Sequence, residues 1–161
     1  MAHQIEIRNT LAKLQHLSSG GFALAFHVRY TTPSFLFQTY PKSWLDYYSQ
    51  NGLVLSDPTV AWGFENTGAI RWSVLAYSDT ADVLKKAAEF DLNFGLTCAI
   101  DDGPHRSIGS FARADREFND DESALLVAEM AKLHKLTADL KTLSPETAAQ
   151  LRMMSVQFTH T

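Results

Sequence analysis

The stretch FALAFHVRYTTPSFLFQTY, residues 22–40, decides the fold. In residues 22–30 every second side chain is large and apolar, and this alternation is typical of a β-strand with one buried face. The letters TTPS then predict a turn, and residues 35–40 predict the returning strand. The stretch is therefore predicted to form an antiparallel β-hairpin.

A second hairpin is predicted further along the chain. GLTCAI (95–100) and SIGSFARA (107–114) have the composition of strands, and DDGPHRS between them is rich in strand-breaking residues. A further short strand is predicted around residues 70–76, which makes about five strands. Two hairpins favour an α/β (α+β) fold in which helices cover one or both faces of a mainly antiparallel sheet. A doubly wound parallel sheet would need regular alternation of strands and helices, which the sequence lacks.

Helices are predicted before, between and after the strands. Asp57 suits an N-cap and Pro58 suits a first helical turn, so one helix is predicted to begin there. The other predicted helices cover residues 3–17, 41–52, about 79–94 and about 119–143, and a last one begins at Ser144.

The composition limits the class of protein. The 161 residues fit one domain with a sizeable core, and 45% of them are hydrophobic. The net charge of −4 provides no basic field for nucleic acid or anionic lipid. Cys98 is the single cysteine, which excludes a disulfide framework and favours a reducing compartment. Without a signal peptide or an apolar run of membrane-spanning length, the chain is predicted to be cytoplasmic.

The segment between the two hairpins gathers aromatic side chains around one carboxylate. Trp44 and Tyr48 share a helix face, and Tyr40 lies just before that helix. They form either an aromatic core cluster or the wall of a cavity whose N–H and O–H groups donate to a ligand. Asp57 either only caps its helix or also accepts a hydrogen bond from a ligand N–H. Trp72 is either a core residue or a flat surface on which a ring stacks.

No catalytic constellation is recognised in the sequence. Asp101, Asp102 and His105 lie in a turn with irregular spacing, which indicates a solvated turn rather than a metal site. Ser110 lacks the glycine pattern of a nucleophile elbow, and Cys98 alternates with apolar residues as a small core residue does. A small hydrolase using Ser110 or Cys98 is an alternative for which no positioned base is visible. The chain is predicted to have no catalytic site, no metal site and no cofactor.

An ordered set of motifs resembles the autoinducer-binding domain of LuxR-family quorum-sensing regulators. The shared pattern is Tyr-Pro-x-x-Trp-x-x-x-Tyr, then Asp-Pro, a second Trp, a Gly-Leu-Thr-like strand and a Ser-Phe-like strand. The resemblance extends over roughly residues 5–140, with matching gaps between the motifs. The matching positions are Tyr40, Pro41, Trp44, Tyr48, Asp57, Pro58, Trp72, Gly95 and Ser110.

The resemblance implies an α-β-α sandwich that encloses an N-acyl-homoserine lactone. It implies that the Trp44 indole N–H donates to the lactone carbonyl. It also implies that Asp57 accepts the ligand's amide N–H, with Thr59 nearby. Tyr40 and Ser110 are expected to reach the acyl-amide carbonyl.

The remaining implied contacts concern the ring and the tail of the ligand. Trp72 is expected to pack on the lactone ring, and Tyr48 to shape the acyl channel. The chain departs from the family where Ala99 replaces a common proline and DDGPHRS replaces a longer turn, so the placement of Ser110 requires a gap. Leu45 provides no arginine beside Trp44 for a substituted acyl chain.

The resemblance also divides the chain and suggests partners. Residues 1–143 are expected to be the ligand sensor, and residues 144–161 a linker remnant or the start of a missing helix-turn-helix DNA-binding domain. Such a chain is expected to form a homodimer, or a heterodimer with a full-length regulator, and to bind neither nucleic acid directly nor membranes. The alternative is a LuxR-like protein that binds a non-lactone ligand, or none, and modulates a full-length regulator by heterodimerisation.

Overall fold

The computed structural model describes residues 2–30 and 32–138, together with 145–146, 149 and 153. None of the helices in these parts of the chain is long and apolar enough to cross a membrane. The helices are α1 (Ala2–Leu17), α2 (Lys42–Gln50), α3 (Pro58–Glu65), α4 (Trp72–Leu75), α5 (Val83–Ala88) and α6 (Asp120–Leu136), with 3₁₀ turns at Leu53–Leu55 and Ala76–Ser78. The strands are β1 (Gly21–Phe26), β2 (Phe35–Gln38), β3 (Gly68–Arg71), β4 (Phe94–Asp101) and β5 (Arg106–Arg113).

The strands form one five-stranded sheet in the order β2-β1-β5-β4-β3. Every neighbouring pair is antiparallel. The two predicted hairpins, β1–β2 and β4–β5, are confirmed, and the pairing of β1 with β5 joins them side by side. The sheet is therefore built from the two hairpins, with β3 added at the edge beside β4.

One face of the sheet carries large apolar side chains. Phe22, Leu24 and Phe26 of β1 are fully buried there, under helices α1 and α6, which pack against each other. This face contains the main hydrophobic core of the domain. Other members of the core are Ile7, Leu11, Leu14, Phe35, Phe37, Leu96, Cys98, Phe111, Phe118, Leu126, Met130 and Leu133.

The opposite face carries small side chains in register. Ala23 pairs with Ser110 and Ala25 pairs with Ile108, while Thr97 faces Ser110 from the next strand. A second hydrophobic cluster on this side includes Trp44 of α2. Since helices cover both faces, the predicted α-β-α sandwich is confirmed.

Two helix starts agree with the sequence prediction. The Asp57 carboxylate accepts a hydrogen bond from the Thr59 backbone N–H at 2.9 Å, as an N-cap does, and Pro58 opens α3. Asn119 caps α6, and its side chain and that of Glu122 form a reciprocal capping box. Both helices therefore begin where the local sequence satisfies their first backbone N–H groups.

Two predicted strands are wrong in extent. β1 ends at Phe26 rather than at residue 30, because His27 and Tyr30 have φ values of 53° and 57°, and this left-handed backbone ends the pleat. The strand predicted at 70–76 is instead β3 up to Arg71, followed directly by helix α4. The β-branched and aromatic letters there favour a strand, but tertiary packing of the Trp72 indole decides the local conformation.

Two predicted helices are also longer than the observed ones. α5 begins only at Val83, because the Asp79 carboxylate accepts from the backbone N–H groups of Val83 and Leu84 across an intervening turn. It ends at Ala88, well before residue 94, which belongs to β4. α6 ends at Leu136 rather than near residue 143. Residues 139–144 and most of the predicted tail helix lie outside the described residues, although the described positions 145–146, 149 and 153 are helical.

Candidate ligand-binding site

A cavity of about 540 Å³ lies between the sheet and helices α2 to α5. Its volume falls within the range of about 300–1,000 Å³ that is usual for small-molecule sites. The lining is mostly apolar, with a small number of polar groups. All of the site residues predicted from the sequence line this one cavity: Tyr40, Trp44, Tyr48, Asp57, Thr59, Trp72 and Ser110.

Several of the residues that the sheet presents to the cavity are small. Ala23, Ala25 and Ser110 form part of its floor, whereas the larger residues beside the two alanines, Phe22, Leu24 and Phe26, point into the main core. Large residues at the floor positions would fill the space between sheet and helices. The alternation of large and small residues along β1 thus contributes to the separation of a packed face from a hollow one.

Glycine at position 95 gives the Trp72 indole its place against the sheet. A Cβ built on Gly95 would overlap atoms of the indole ring. The Trp72 ring therefore lies on bare backbone of β4, and its indole N–H donates to Thr97 Oγ1 at 3.0 Å. The contact with Gly95 and the hydrogen bond to Thr97 together fix the ring, which forms one wall of the cavity.

Asp57 is a buried carboxylate whose hydrogen-bond donors are neutral. Oδ1 accepts from the Thr59 backbone N–H at 2.9 Å and from the Thr59 hydroxyl at 2.7 Å, and Oδ2 accepts from the Tyr48 hydroxyl at 2.7 Å. Burial raises the pKa of Asp57, while the Thr59 and Tyr48 hydrogen bonds oppose that rise. Among the described residues no lysine or arginine forms a salt bridge with it. Asp57 therefore caps α3, as predicted, and also lines the cavity, while its hydrogen bond to a ligand stays a prediction.

Tyr40 provides a buried hydroxyl with no protein partner among the described residues. Its side chain is only 7% exposed and lines the cavity. Burial, with the nearby Asp57 charge, raises the pKa of Tyr40 well above its usual range, so the phenol keeps its proton. A buried, unpaired O–H is costly, and an acceptor within the cavity would satisfy it.

Trp44 belongs both to an aromatic cluster and to the cavity wall. Its ring lies 5.6 Å from that of Tyr48 and 5.3 Å from that of Phe90, measured between centroids. It is 5% exposed and lines the cavity. Trp44 therefore belongs to the core cluster and also lines the cavity, while donation from its indole N–H to a ligand stays a prediction.

Thr97 is a cavity-side residue that the list of predicted site residues missed. It is fully buried, accepts from the Trp72 indole, and its hydroxyl lies 2.8 Å from Ser110 Oγ. The alternation in GLTCAI, which places Thr97 opposite to Leu96 and Cys98, was the signal that could have found it.

The other candidates from the sequence lie away from the cavity lining. Cys98 points into the main core, and burial raises the pKa of its thiol to about 12, which disfavours the thiolate at neutral pH. Asp101 forms a salt bridge with Arg106 across the β4–β5 turn. In the described part of the chain, no three His, Cys, Asp or Glu side chains are placed to hold a metal ion.

A histidine cluster lies outside the cavity lining, where α6 ends near the β4–β5 turn. His27 Nδ1 lies 3.2 Å from His105 Nδ1, and its ring stacks on His134 with 4.6 Å between centroids. His134 in turn contacts Ser107 Oγ at 2.7 Å and Asp102 Oδ2 at 2.9 Å. Burial and the two other histidines lower the pKa of His27 to about 4.

The family comparison identifies the class of this domain. A family model described as the autoinducer binding domain matches residues 10–140. The chain belongs to the autoinducer-binding domain family. Similarity to curated proteins is local: it is 34% identical to the transcriptional activator protein SolR of Ralstonia nicotianae over 61 residues, which are 38% of this chain. The chain covers 26% of the length of that relative.

Solved structures share the fold of this autoinducer-binding domain. SdiA of Escherichia coli, solved in complex with octanoyl-rac-glycerol, matches with a TM-score of 0.62 and 21% identity over 89% of this chain and 63% of that one. CepR2 of Burkholderia cenocepacia, described as an N-acylhomoserine lactone dependent LuxR family transcription factor, matches with a TM-score of 0.57 and 16% identity over 91% of this chain and 98% of that one. The likeness confirms the α+β architecture.

Proposed function

We propose that this domain is the signal-receptor part of a LuxR-type transcriptional regulator and binds an N-acyl-homoserine lactone in the cavity. The proposal rests on two buried groups in one mostly apolar cavity, the Tyr40 phenol and the Asp57 carboxylate. Among the described residues, the phenol has no hydrogen-bond partner and the carboxylate has no cationic partner. A fatty amide provides both an acceptor and a donor for these groups. Its alkyl tail suits the remaining walls.

Four polar side chains of the site have a proposed partner on the ligand. Asp57 accepts the amide N–H, and Tyr40 and Ser110 donate to the acyl-amide carbonyl. Trp44 donates its indole N–H to the lactone carbonyl. Thr59 acts on the ligand through Asp57, to which it donates twice.

The apolar walls have proposed roles in holding the ring and the tail. Trp72 packs on the lactone ring with its face, since its N–H is already bonded to Thr97. Tyr48 borders the acyl channel and at the same time donates to Asp57. We further propose a cytoplasmic protein that acts as a homodimer or as a heterodimer with a full-length regulator.

Binding is tested by thermal shift and calorimetry with a panel of N-butanoyl-, N-octanoyl- and N-dodecanoyl-L-homoserine lactones. A ligand that binds only the folded state, at a hundredfold excess over its Kd, should stabilise the protein by about 2.7 kcal/mol. Asp57→Asn should abolish the shift and keep the fold, since Asn also caps helices well. The matched control is Asp46→Asn, on the exposed face of α2 in a salt bridge with Lys42, which should bind as the wild type does. Unchanged melting of folded wild-type protein with every lactone would refute the proposal.

A second candidate ligand is a non-lactone amphiphile such as a monoacylglycerol. The structural relative SdiA was solved with octanoyl-rac-glycerol. The present cavity has polar groups that could bind a glycerol head and apolar walls that could hold an acyl tail. The two classes are separated by adding octanoyl glycerol to the panel. Stabilisation by the glycerol ester alone would favour this candidate.

A further inference from the structure

We propose that Thr97 is a positioning residue that fixes the Ser110 hydroxyl as a hydrogen-bond donor toward the ligand. This inference rests on the proposed function, because it concerns how Ser110 meets the ligand carbonyl. The residues involved form a chain of hydrogen bonds that begins at the Trp72 indole and ends at the cavity floor.

The donor and the acceptor in each of these hydrogen bonds follow from the chemistry of the Trp72 indole. An indole N–H can only donate, so Thr97 Oγ1 is the acceptor of the 3.0 Å contact with Trp72. Thr97 has one hydroxyl proton of its own, and the residue is fully buried. The other contact of Thr97 Oγ1 among the described residues is Ser110 Oγ, at 2.8 Å. If Ser110 donated to Thr97, the Thr97 proton would be left buried without an acceptor, which is unfavourable.

In the favoured arrangement, Trp72 therefore donates to Thr97, and Thr97 donates to Ser110. Ser110 Oγ then accepts a hydrogen bond from the Thr97 hydroxyl, and the Ser110 O–H is directed elsewhere. Ser110 is only partly buried and lines the cavity, so the cavity is the open direction for that proton. The Ser110 hydroxyl thus presents a donor, polarised by the two hydrogen bonds behind it.

The assignment defines which ligand chemistry the cavity floor accepts. Ser110 and Tyr40 both offer O–H donors, while Asp57 offers an acceptor. A carbonyl oxygen near Ser110 is favoured, and a ligand N–H or O–H at the same place would meet a second donor. Thr97 contributes to this selectivity without touching the ligand.

A double-mutant cycle with calorimetric affinities tests the role of Thr97. The probe is whichever of the three lactones named above binds wild-type protein most tightly. Ser110→Ala should weaken binding about tenfold, as the loss of one buried hydrogen bond does. Thr97→Val should weaken binding by a similar factor. Adding Ser110→Ala to that variant should weaken binding by less than about threefold further. Thr97→Ser, which keeps the hydroxyl, should bind within about twofold of wild type.

The outcomes separate this inference from the proposed function. If Ser110→Ala costs the same factor in the wild-type and Thr97→Val backgrounds, or if Thr97→Val binds as wild type does, Thr97 does not position Ser110, although lactone binding stands. If wild-type protein binds none of the lactones, both proposals fail. Should the valine variant not fold, Thr97→Ala, which leaves room for a water at the indole N–H, replaces it in the cycle. Thr80→Val, at an exposed threonine outside the cavity lining, is the matched control and should leave the affinity unchanged.

Discussion

The Tyr48 hydroxyl lies 2.7 Å from Asp57 Oδ2 and donates a hydrogen bond to it. The two side chains come from different elements, α2 and the turn before α3, and meet at the cavity. The contact joins an aromatic wall residue to the acidic group of the site. It gives Tyr48 a polar role in addition to the expected one of shaping the acyl channel.

Replacing Tyr48 with phenylalanine should make ligand binding more sensitive to acid. Burial already raises the pKa of Asp57, and the Tyr48 hydrogen bond opposes that rise, so Tyr48→Phe should raise the pKa further. The proposed contact of Asp57 with the ligand N–H is strongest when the carboxylate is ionised, so binding should weaken as the pH falls through its pKa. The variant should therefore lose affinity at a higher pH than wild type does. Ligand titrations over a series of pH values measure the shift, and coincident profiles would contradict it.

Filling the floor of the cavity should block the ligand without harming the fold. Ala25→Leu adds a larger apolar side chain on the cavity side of β1, where space is available. We expect stability to be unchanged or raised by about 1 kcal/mol, and lactone affinity to fall by more than about tenfold. Urea denaturation and calorimetry measure the two effects. Ala114→Leu, at an exposed position after β5, is the control that should alter neither.

A side chain at position 95 should destabilise the domain by overpacking. The Cβ of Gly95→Ala would overlap the Trp72 indole, so the ring or the strand must move. We expect a loss of about 1–3 kcal/mol in the free energy of unfolding, measured by urea denaturation. In a Trp72→Leu background the same change should cost much less, because the smaller side chain leaves room for the methyl group. Equal costs in both backgrounds would show that the indole is not the cause.

The histidine cluster should make the folded state less stable in mild acid. The pKa of His27 is lowered from 6.5 to about 4, so between these values the unfolded chain binds a proton that the folded chain does not. The free energy of unfolding therefore falls as the pH drops through this window, by at most about 1.4 kcal/mol per pH unit for one group. The ionisable groups that lie around His27 are His105, His134 and Asp102.

His27→Asn should reduce this dependence on pH. Asparagine tolerates the left-handed backbone at this position, where φ is 53°, and it does not titrate. The slope of unfolding free energy against pH, measured by urea denaturation at about six pH values between about 4 and 7, should become shallower than in wild type. An unchanged slope would show that groups other than His27 cause the pH dependence of the free energy of unfolding.

The hairpins and the helix starts were predictable from the sequence because their causes are local. Alternation along residues 22–26 and the turn residues of the β4–β5 connection are visible in the letters. The N-cap at Asp57 depends on one side chain and its next neighbours. Such features need no knowledge of distant contacts.

The failures in the prediction have non-local causes. The short helix α4 forms where the sequence favours a strand, since the Trp72 indole packs on Gly95, which lies in a different element, β4. Thr97 was missed because its importance lies in two contacts across the sheet and to α4. The grouping of the predicted site residues came from a resemblance to a family, and the cavity is where the structure brings these residues together.

The two duties of Asp57 limit how such a receptor can diverge in evolution. The same carboxylate begins helix α3 and faces the cavity, so a substitution must suit both places. Only Asp, Asn, Ser, Thr and Gly begin helices well, and of these only Asp is an anion. The aliphatic walls carry no comparable restriction, since apolar residues of similar volume exchange at little cost. Related receptors that drift apart would accordingly keep the head group of their signal and change the length or shape of its tail.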